Sequence, residues 1–444
     1  MEQTRELGFQ MLEAFDPEMA SLYHAEAERQ RSTIDLVASQ NVASPLSTCL
    51  EGSLFTNKNM VGYPDSRFTG GCENINQVER LSIQRLKELF GCEYANVQAV
   101  NATIANVAVL MALMEEGDTL LSLDAGDGGH ISHGDPSHIN GMRYHRVAYH
   151  LNRETEQVDM EDVARLARLY HPKVISCGFT AYTRRLDYAR FAEIARETGA
   201  YLWVDCAHEA GLIAAKVVPS PVPYADVVTF STQKTLRGPR GSGIILCRQS
   251  LAKKIDQAVY PTLQAGSKTD MVAARTVLFR ECMTPEFHAY GKQVLANAQA
   301  LARGCQAEGL RLVAGGTDNH MVLLDVTPFV PDGQAAEDLL YSVGIVANKI
   351  SIPFVRLSSK QPAGLRVGSS AMTTRGAKEA EMEQIGHWIG QLLQREGQAG
   401  AVEEIRRNVS ALAARLPLFS EEWVPASCRK IWEANMAGRR LSAL

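Results

Sequence analysis

The sequence predicts an α/β protein with a large part built on a mostly parallel sheet, followed by a smaller α/β part. Two observations carry this. Short apolar runs rich in β-branched or aromatic residues alternate with helical patterns through the middle of the chain, and from about Thr284 the pattern changes to a long helix, short strands and helix again. A third is scale: 444 residues, 45% hydrophobic and 21% charged, have an ordinary globular balance and are long enough for two or three domains.

Taken in order, residues 1–40 read as a helical arm. The runs VISCGFT (Val174–Thr180), YLWVDCA (Tyr201–Ala207), DVVTFST (Asp226–Thr232) and GIILCR (Gly243–Arg248) read as buried strands. Between the first two, Tyr188, Phe191 and Ile194 recur at helical spacing after Asp187, and Gly199 marks the stop, which makes a βαβ unit. These runs place a large domain at 41–283. The segment PEFHAYGKQVLANAQALARGCQAEG, then RLVAG and HMVLLDV, opens a small domain at 284–418. An extension follows at 419–444, in which Trp423, Ile431 and Trp432 read either as one amphipathic helix covering the protein or a neighbouring subunit or as part of a loosely ordered terminus; the sequence leaves both open.

The net charge of −5 offers no basic field, so nucleic acid and membrane surfaces are not expected partners. The nine cysteines form no CxxC pair and no Cys/His cluster at zinc spacing, which predicts a reducing compartment and no metal. The acidic start MEQTRELGFQMLEAF lacks the features of a secretory signal, and no segment is apolar for long enough to span a bilayer. A cytoplasmic protein is expected.

The strongest chemical signal is STQKTLRGPRG, which puts Lys234 between a predicted strand and a Gly/Pro-rich turn. A pinned, partly desolvated amine loses its proton readily and can form a Schiff base with an aldehyde; a phosphate-gripping loop or a surface lysine would read alike. Asp205, in VDCAHEAG, ends the strand before it. Pyridoxal 5'-phosphate needs a carboxylate beside its ring nitrogen, and a strand-end aspartate with a lysine after the next strand supplies both, although Asp is also common there as a helix N-cap.

From Asp16 to about Leu418 the chain resembles the serine hydroxymethyltransferase family, which has the aspartate-aminotransferase-like fold of type I pyridoxal-phosphate enzymes. The resemblance is carried by LVASQN, TNKNMVGYPDSRFTGGCE, ERLSIQRLKELFGCEYANVQ, DGGHISHG, GFTAYT, VDCAHEAGLIAA, STQKTLRGPRG, GGTDNH and GLRVGSSAMTTRG, in that order. It implies that Lys234 is the Schiff-base lysine, Asp205 the partner of the pyridine nitrogen and His130 the residue stacked on the ring. It places His208 near the ring hydroxyl, with Thr180, Ser231 and Gln233 around the cofactor. Asn101, Ala102 and Thr103 would meet the phosphate at a helix N-terminus, a fit place for a dianion. Gly266 would reach it from a neighbouring subunit, which implies a homodimer with shared sites, a tetramer being left open. Arg366 would receive the substrate carboxylate as a bidentate fork, with Ser39 and Tyr63 beside the substrate.

The chain departs from the family pattern around the folate and the substrate hydroxyl. Val61 stands where the family has its proton-handling glutamate, and losing a general acid or base typically costs about 10²- to 10⁴-fold in rate. Gln40 replaces another glutamate; Asn59 and Thr69 replace tyrosines; Ala125-Gly126-Asp127, Val100-Asn101-Ala102, Gln233, and Thr262 with Leu263 are further departures. These changes predict folate-independent chemistry on a β-substituted α-amino acid, either aldol-type cleavage or exchange or β-elimination, in a biosynthetic setting. The alternatives are ordinary folate-dependent serine hydroxymethyl transfer, with another group replacing the glutamate, and a catalytically silent homologue; the joint retention of Lys234, Asp205, His130 and Arg366 argues against the last.

Overall fold

The computed structural model describes residues 2–355, 357, 361–394 and 399–439. Its main sheet has seven strands: β1 (Tyr94–Asn96), β2 (Thr119–Leu123), β3 (His145–Tyr149), β4 (Val174–Gly178), β5 (Tyr201–Asp205), β6 (Val227–Ser231) and β7 (Gly243–Cys247). They lie in the order β1-β7-β6-β5-β4-β2-β3. The five strands from β6 to β3 are parallel, and β7 runs antiparallel to both β6 and β1. A near-continuous apolar strand is what a sheet covered on both faces requires, and β4, β6 and β7 are buried throughout. Each of the four strand runs read from the sequence is present, shorter by one or two residues.

The connecting helices follow local chemistry. The helix Tyr188–Thr198 starts at Asp187, whose side chain accepts from Arg190 N, and stops at Gly199 with φ +73°. The helix Ala102–Leu113 starts at Asn101, whose side chain accepts from Ile104 N.

A second, antiparallel sheet holds β8 (Arg311–Leu312), β9 (Met321–Asp325), β10 (Asn348–Ile350) and β11 (Gly364–Gly368) in the order β10-β11-β9-β8. The helix Pro285–Ala307 runs from one core into the other: Phe287, Tyr290 and Val294 pack with the main sheet, Leu301 and Cys305 with the small one. The arm differs from its expected form beyond residue 32. Helices Glu2–Phe15 and Pro17–Ser32 are followed by Ile34–Asp35, which pairs in parallel with Ile345–Val346, so the chain enters the small sheet's core before it reaches Ser39.

The C-terminal segment differs from both readings left open by the sequence. Trp423 lies in a 3₁₀ turn rather than on the helix Arg429–Arg439, where Ile431 is 68% exposed. Trp423 is 1% exposed, its indole donates to Thr373 O at 2.8 Å, and with Phe419 and Val424 it joins the main core. Burial of a large aromatic outweighs helical periodicity here, so the three residues share no helix face. Residues 440–444 of the expected extension lie outside the described residues. Among the described residues no helix is long and apolar enough to cross a membrane.

Candidate active site

The parallel strands deliver the candidate residues to one edge of the main sheet, where ligands bind in open α/β sheets. β2 leads to His130, β4 to Thr180, β5 ends in Asp205 ahead of His208, and β6 ends in Ser231 ahead of Lys234. Asp205 pairs across the sheet with Gly178 and Thr229. A Cβ at Gly178 would stand 2.9 Å from the Asp205 Cβ, so this approach requires glycine.

The Asp205 carboxylate is held from three sides. Oδ2 accepts from Asn106 Nδ2 at 2.7 Å and lies 3.0 Å from His133 Nε2, and Oδ1 accepts from Ala207 N at 3.0 Å. Burial alone would raise its pKa, but the His133 hydrogen bond and the nearby His133, His130 and Lys234 hold it below the usual carboxylate range. An ionised carboxylate has about four acceptor positions and three are taken, which leaves room for one more donor such as a pyridinium N–H. His130, His133 and Asp205 place ligand atoms within 4.8 Å of one another, yet Asp205 is already engaged by protein donors, and His130 Nδ1 lies 2.7 Å from Ser132 Oγ. Of the two histidines, His133 meets the carboxylate and His130 meets Ser132.

Lys234 is brought close to this group. Its carbonyl accepts from Asn41 Nδ2 at 2.8 Å and from Arg237 N at 3.0 Å, which fixes the loop, while its amine makes no hydrogen bond among the described residues. Burial lowers its pKa from 10.5 to about 8, against the pull of Asp205. Burial likewise takes His130 down to about 4. Ser231 Oγ, Gln233 Oε1 and His208 Nε2 are buried with no hydrogen-bond partner among the described residues. Such groups are costly unless something satisfies them, and a polar ring with a hydroxyl and a nitrogen fits the set.

Arg366 lies in the middle of β11 opposite Leu323, and is 5% exposed. Its guanidinium donates to Thr180 O and, at 3.2 Å, to Asn348 Oδ1; burial lowers its pKa to about 10. A cation held by neutral acceptors can still take a carboxylate. Asn101, Ala102 and Thr103 form the start of the helix Ala102–Leu113; Asn101 caps Ile104 N, which leaves the N–H groups of Ala102 and Thr103 to meet an anion.

Tyr63 and Gly266 are among the expected residues that no described contact brings to Lys234. Tyr63 donates its hydroxyl to Asp256 O at 2.7 Å and accepts from Asn96 Nδ2 at 3.0 Å. Gly266 lies against the segment of Val61: Met60 bridges Ser267, and a Cβ at Gly266 would meet Asn59 Oδ1 at 2.7 Å and Val61 Cγ2 at 3.4 Å. Beneath that segment the buried Glu79 is committed to Arg67 and, at 2.8 Å, to Gln98, so it is no ready substitute for the missing glutamate. His133, Asn106, Asn41 and Asn348 were not singled out from the sequence. Asn106, a lone polar residue in the run IANVAVL, was the most readable of them.

A family model described as serine hydroxymethyltransferase matches residues 12–389. The chain belongs to the serine hydroxymethyltransferase family. A relative named serine hydroxymethyltransferase, from Myxococcus xanthus strain DK1622, is 46% identical over 405 residues, which cover 91% of this chain and 97% of that protein. As a member of the family the chain is a pyridoxal-phosphate-dependent transferase of fold type I acting on an amino acid. The lysine, the ionised aspartate and the unsatisfied polar atoms described above suit that cofactor.

Proposed function

We propose that the protein makes and breaks the Cα–Cβ bond of a small β-hydroxy-α-amino acid, and that its reaction is tetrahydrofolate-dependent exchange between serine and glycine. The observation that carries this is similarity to a protein of that name along 91% of the chain, too extensive for a shared fold alone. Bound pyridoxal phosphate supplies an aldehyde for amines and a protonated ring that withdraws electron density from the substrate Cα. The residues of this chain do the rest. Arg366 binds and orients the substrate carboxylate with Ser39 beside it, Asp205 keeps a proton on the ring nitrogen, and His130 covers the ring face. Lys234, with a pKa near 8, accepts or returns a proton at Cα near neutral pH. The edge that carries Asn59, Val61, Tyr63 and Gly266 completes the site of a second copy, so the working unit is a homodimer of a cytoplasmic enzyme.

Val61 favours a second reading. A valine moves no proton, and a site without that carboxylate suits folate-independent aldol-type cleavage or exchange, or β-elimination, on a larger β-substituted amino acid. Glycine formation from L-serine with and without tetrahydrofolate separates the two. Folate-dependent glycine supports the first; glycine or keto acid only from bulkier substrates, indifferent to folate, supports the second.

A further inference from the structure

His320, the residue before β9, has no part in the reaction as described so far, yet it is 0% exposed and touches three parts of the site. Its Nε2 lies 3.1 Å from the carbonyl of Ala38, the neighbour of Ser39, and 3.2 Å from His208 Nδ1. Its own carbonyl accepts from Ser369 N at 2.9 Å, just past the strand of Arg366. The two imidazole planes are 20° apart with centroids at 5.3 Å, and with facing nitrogens at 3.2 Å the rings meet edge to edge, the geometry of an N–H···N bond.

The proton positions follow from the acceptors. A carbonyl only accepts, so His320 Nε2 must carry a proton toward Ala38; the opposite assignment sets two lone pairs against each other at 3.1 Å. His208 Nδ1 must then be bare, because a proton there would face that of His320. Burial, reinforced by the charges of Lys234 and Arg366, keeps His208 neutral, and burial holds His320 down near 3. The remaining proton of His208 is on Nε2, the buried atom that lacks a partner among the described residues. Phe179, with its centroid 6.2 Å from that of His208, limits rotation of the ring.

We infer that His320 is a positioning residue: its Nε2 proton, shared between Ala38 O and His208 Nδ1, locks His208 as the tautomer that offers an Nε2–H donor to the cofactor's ring oxygen. The same contact holds Ser39 in register with Arg366. This rests on the reading that Lys234 and His208 hold the cofactor.

The test uses holoenzyme labelled with ¹⁵N-histidine, in wild type, His320→Gln, which keeps an N–H donor, and His320→Leu, which does not. Nitrogen shifts report the His208 tautomer, and a pH titration of the visible absorption reports the donor on the ring oxygen. Wild type and His320→Gln are expected to show His208 protonated on Nε2, with matching titration midpoints. His320→Leu is expected to lose the single tautomer and to raise the midpoint by about one pH unit, tenfold in the equilibrium. A wild-type His208 protonated on Nδ1 overturns the inference, as does a His320→Leu protein with unchanged tautomer and midpoint. If His320→Leu does not fold, the wild-type tautomer and the His320→Gln midpoint decide. A wild type lacking any visible band that Lys234→Ala abolishes would instead refute the cofactor reading, and the tautomer would remain measurable.

Discussion

Replacing Arg237 by leucine should destabilise the protein severely, and replacing Glu281 as well should restore much of the loss. Arg237 is 0% exposed and pairs with Glu281 Oε1 at 2.7 Å. Its guanidinium carbon lies 4.6 Å from the Tyr290 ring centroid, 4.9 Å from that of Phe419 and 5.6 Å from that of Phe287. Removing one partner of a buried ion pair strands the other charge and costs about 3–5 kcal/mol, whereas exchanging both partners for apolar residues is often neutral. The aromatic cage suits leucine as a neighbour, so Arg237→Leu with Glu281→Leu should be clearly more stable than Arg237→Leu alone. The assay is the urea midpoint of the three variants beside wild type, with slopes checked for constancy. A loss under about 1 kcal/mol for the single variant, or a double variant no better than the single, refutes this account of the cage.

Other outcomes follow from the same geometry. Asp205→Asn should keep Asn106 and His133 in place yet lower kcat by at least about 10²-fold with cofactor still bound, since a preorganised charge at the reacting ring is lost; steady-state rates and the visible spectrum check this. The apoprotein should take up cofactor faster as pH rises through about 8, where the Lys234 amine becomes neutral. The unfolded chain keeps that proton up to about 10.5, so it binds more protons than the folded one between the two values, and apoprotein stability should rise with pH there; stopped-flow absorbance and urea titrations measure both. Trp423→Ala should cost about 3–5 kcal/mol by emptying space in the core, a loss that a truly appended tail would not show in a urea midpoint.

The strands that bear the site were legible because β4, β5, β6 and β7 are buried on both faces and leave near-continuous apolar runs. The places of Asp205 at the end of β5 and of Lys234 just past β6 were legible because both follow directly from the strand runs. His320 was not, since its meaning depends on His208, 112 residues away, and on the carbonyl of Ala38; no local pattern records either contact. His133 lay in plain view in GGHISHG, but which of two histidines meets the carboxylate depends on the 3₁₀ turn Ile131–His133 that points it at Asp205. The place of Trp423 was left open between a helix shared with Ile431 and Trp432 and a loose terminus, because the contact that decides it, with Tyr290 at 5.6 Å between centroids, is tertiary and has no local signature.

Glycine formation from L-serine by cofactor-loaded protein, with and without tetrahydrofolate and beside Lys234→Ala, tests the proposed activity most directly. The account predicts rapid glycine formation that requires both folate and Lys234. Glycine formation that ignores folate, or none from serine while bulkier β-hydroxy amino acids are cleaved, would contradict it and assign Val61 to a different reaction.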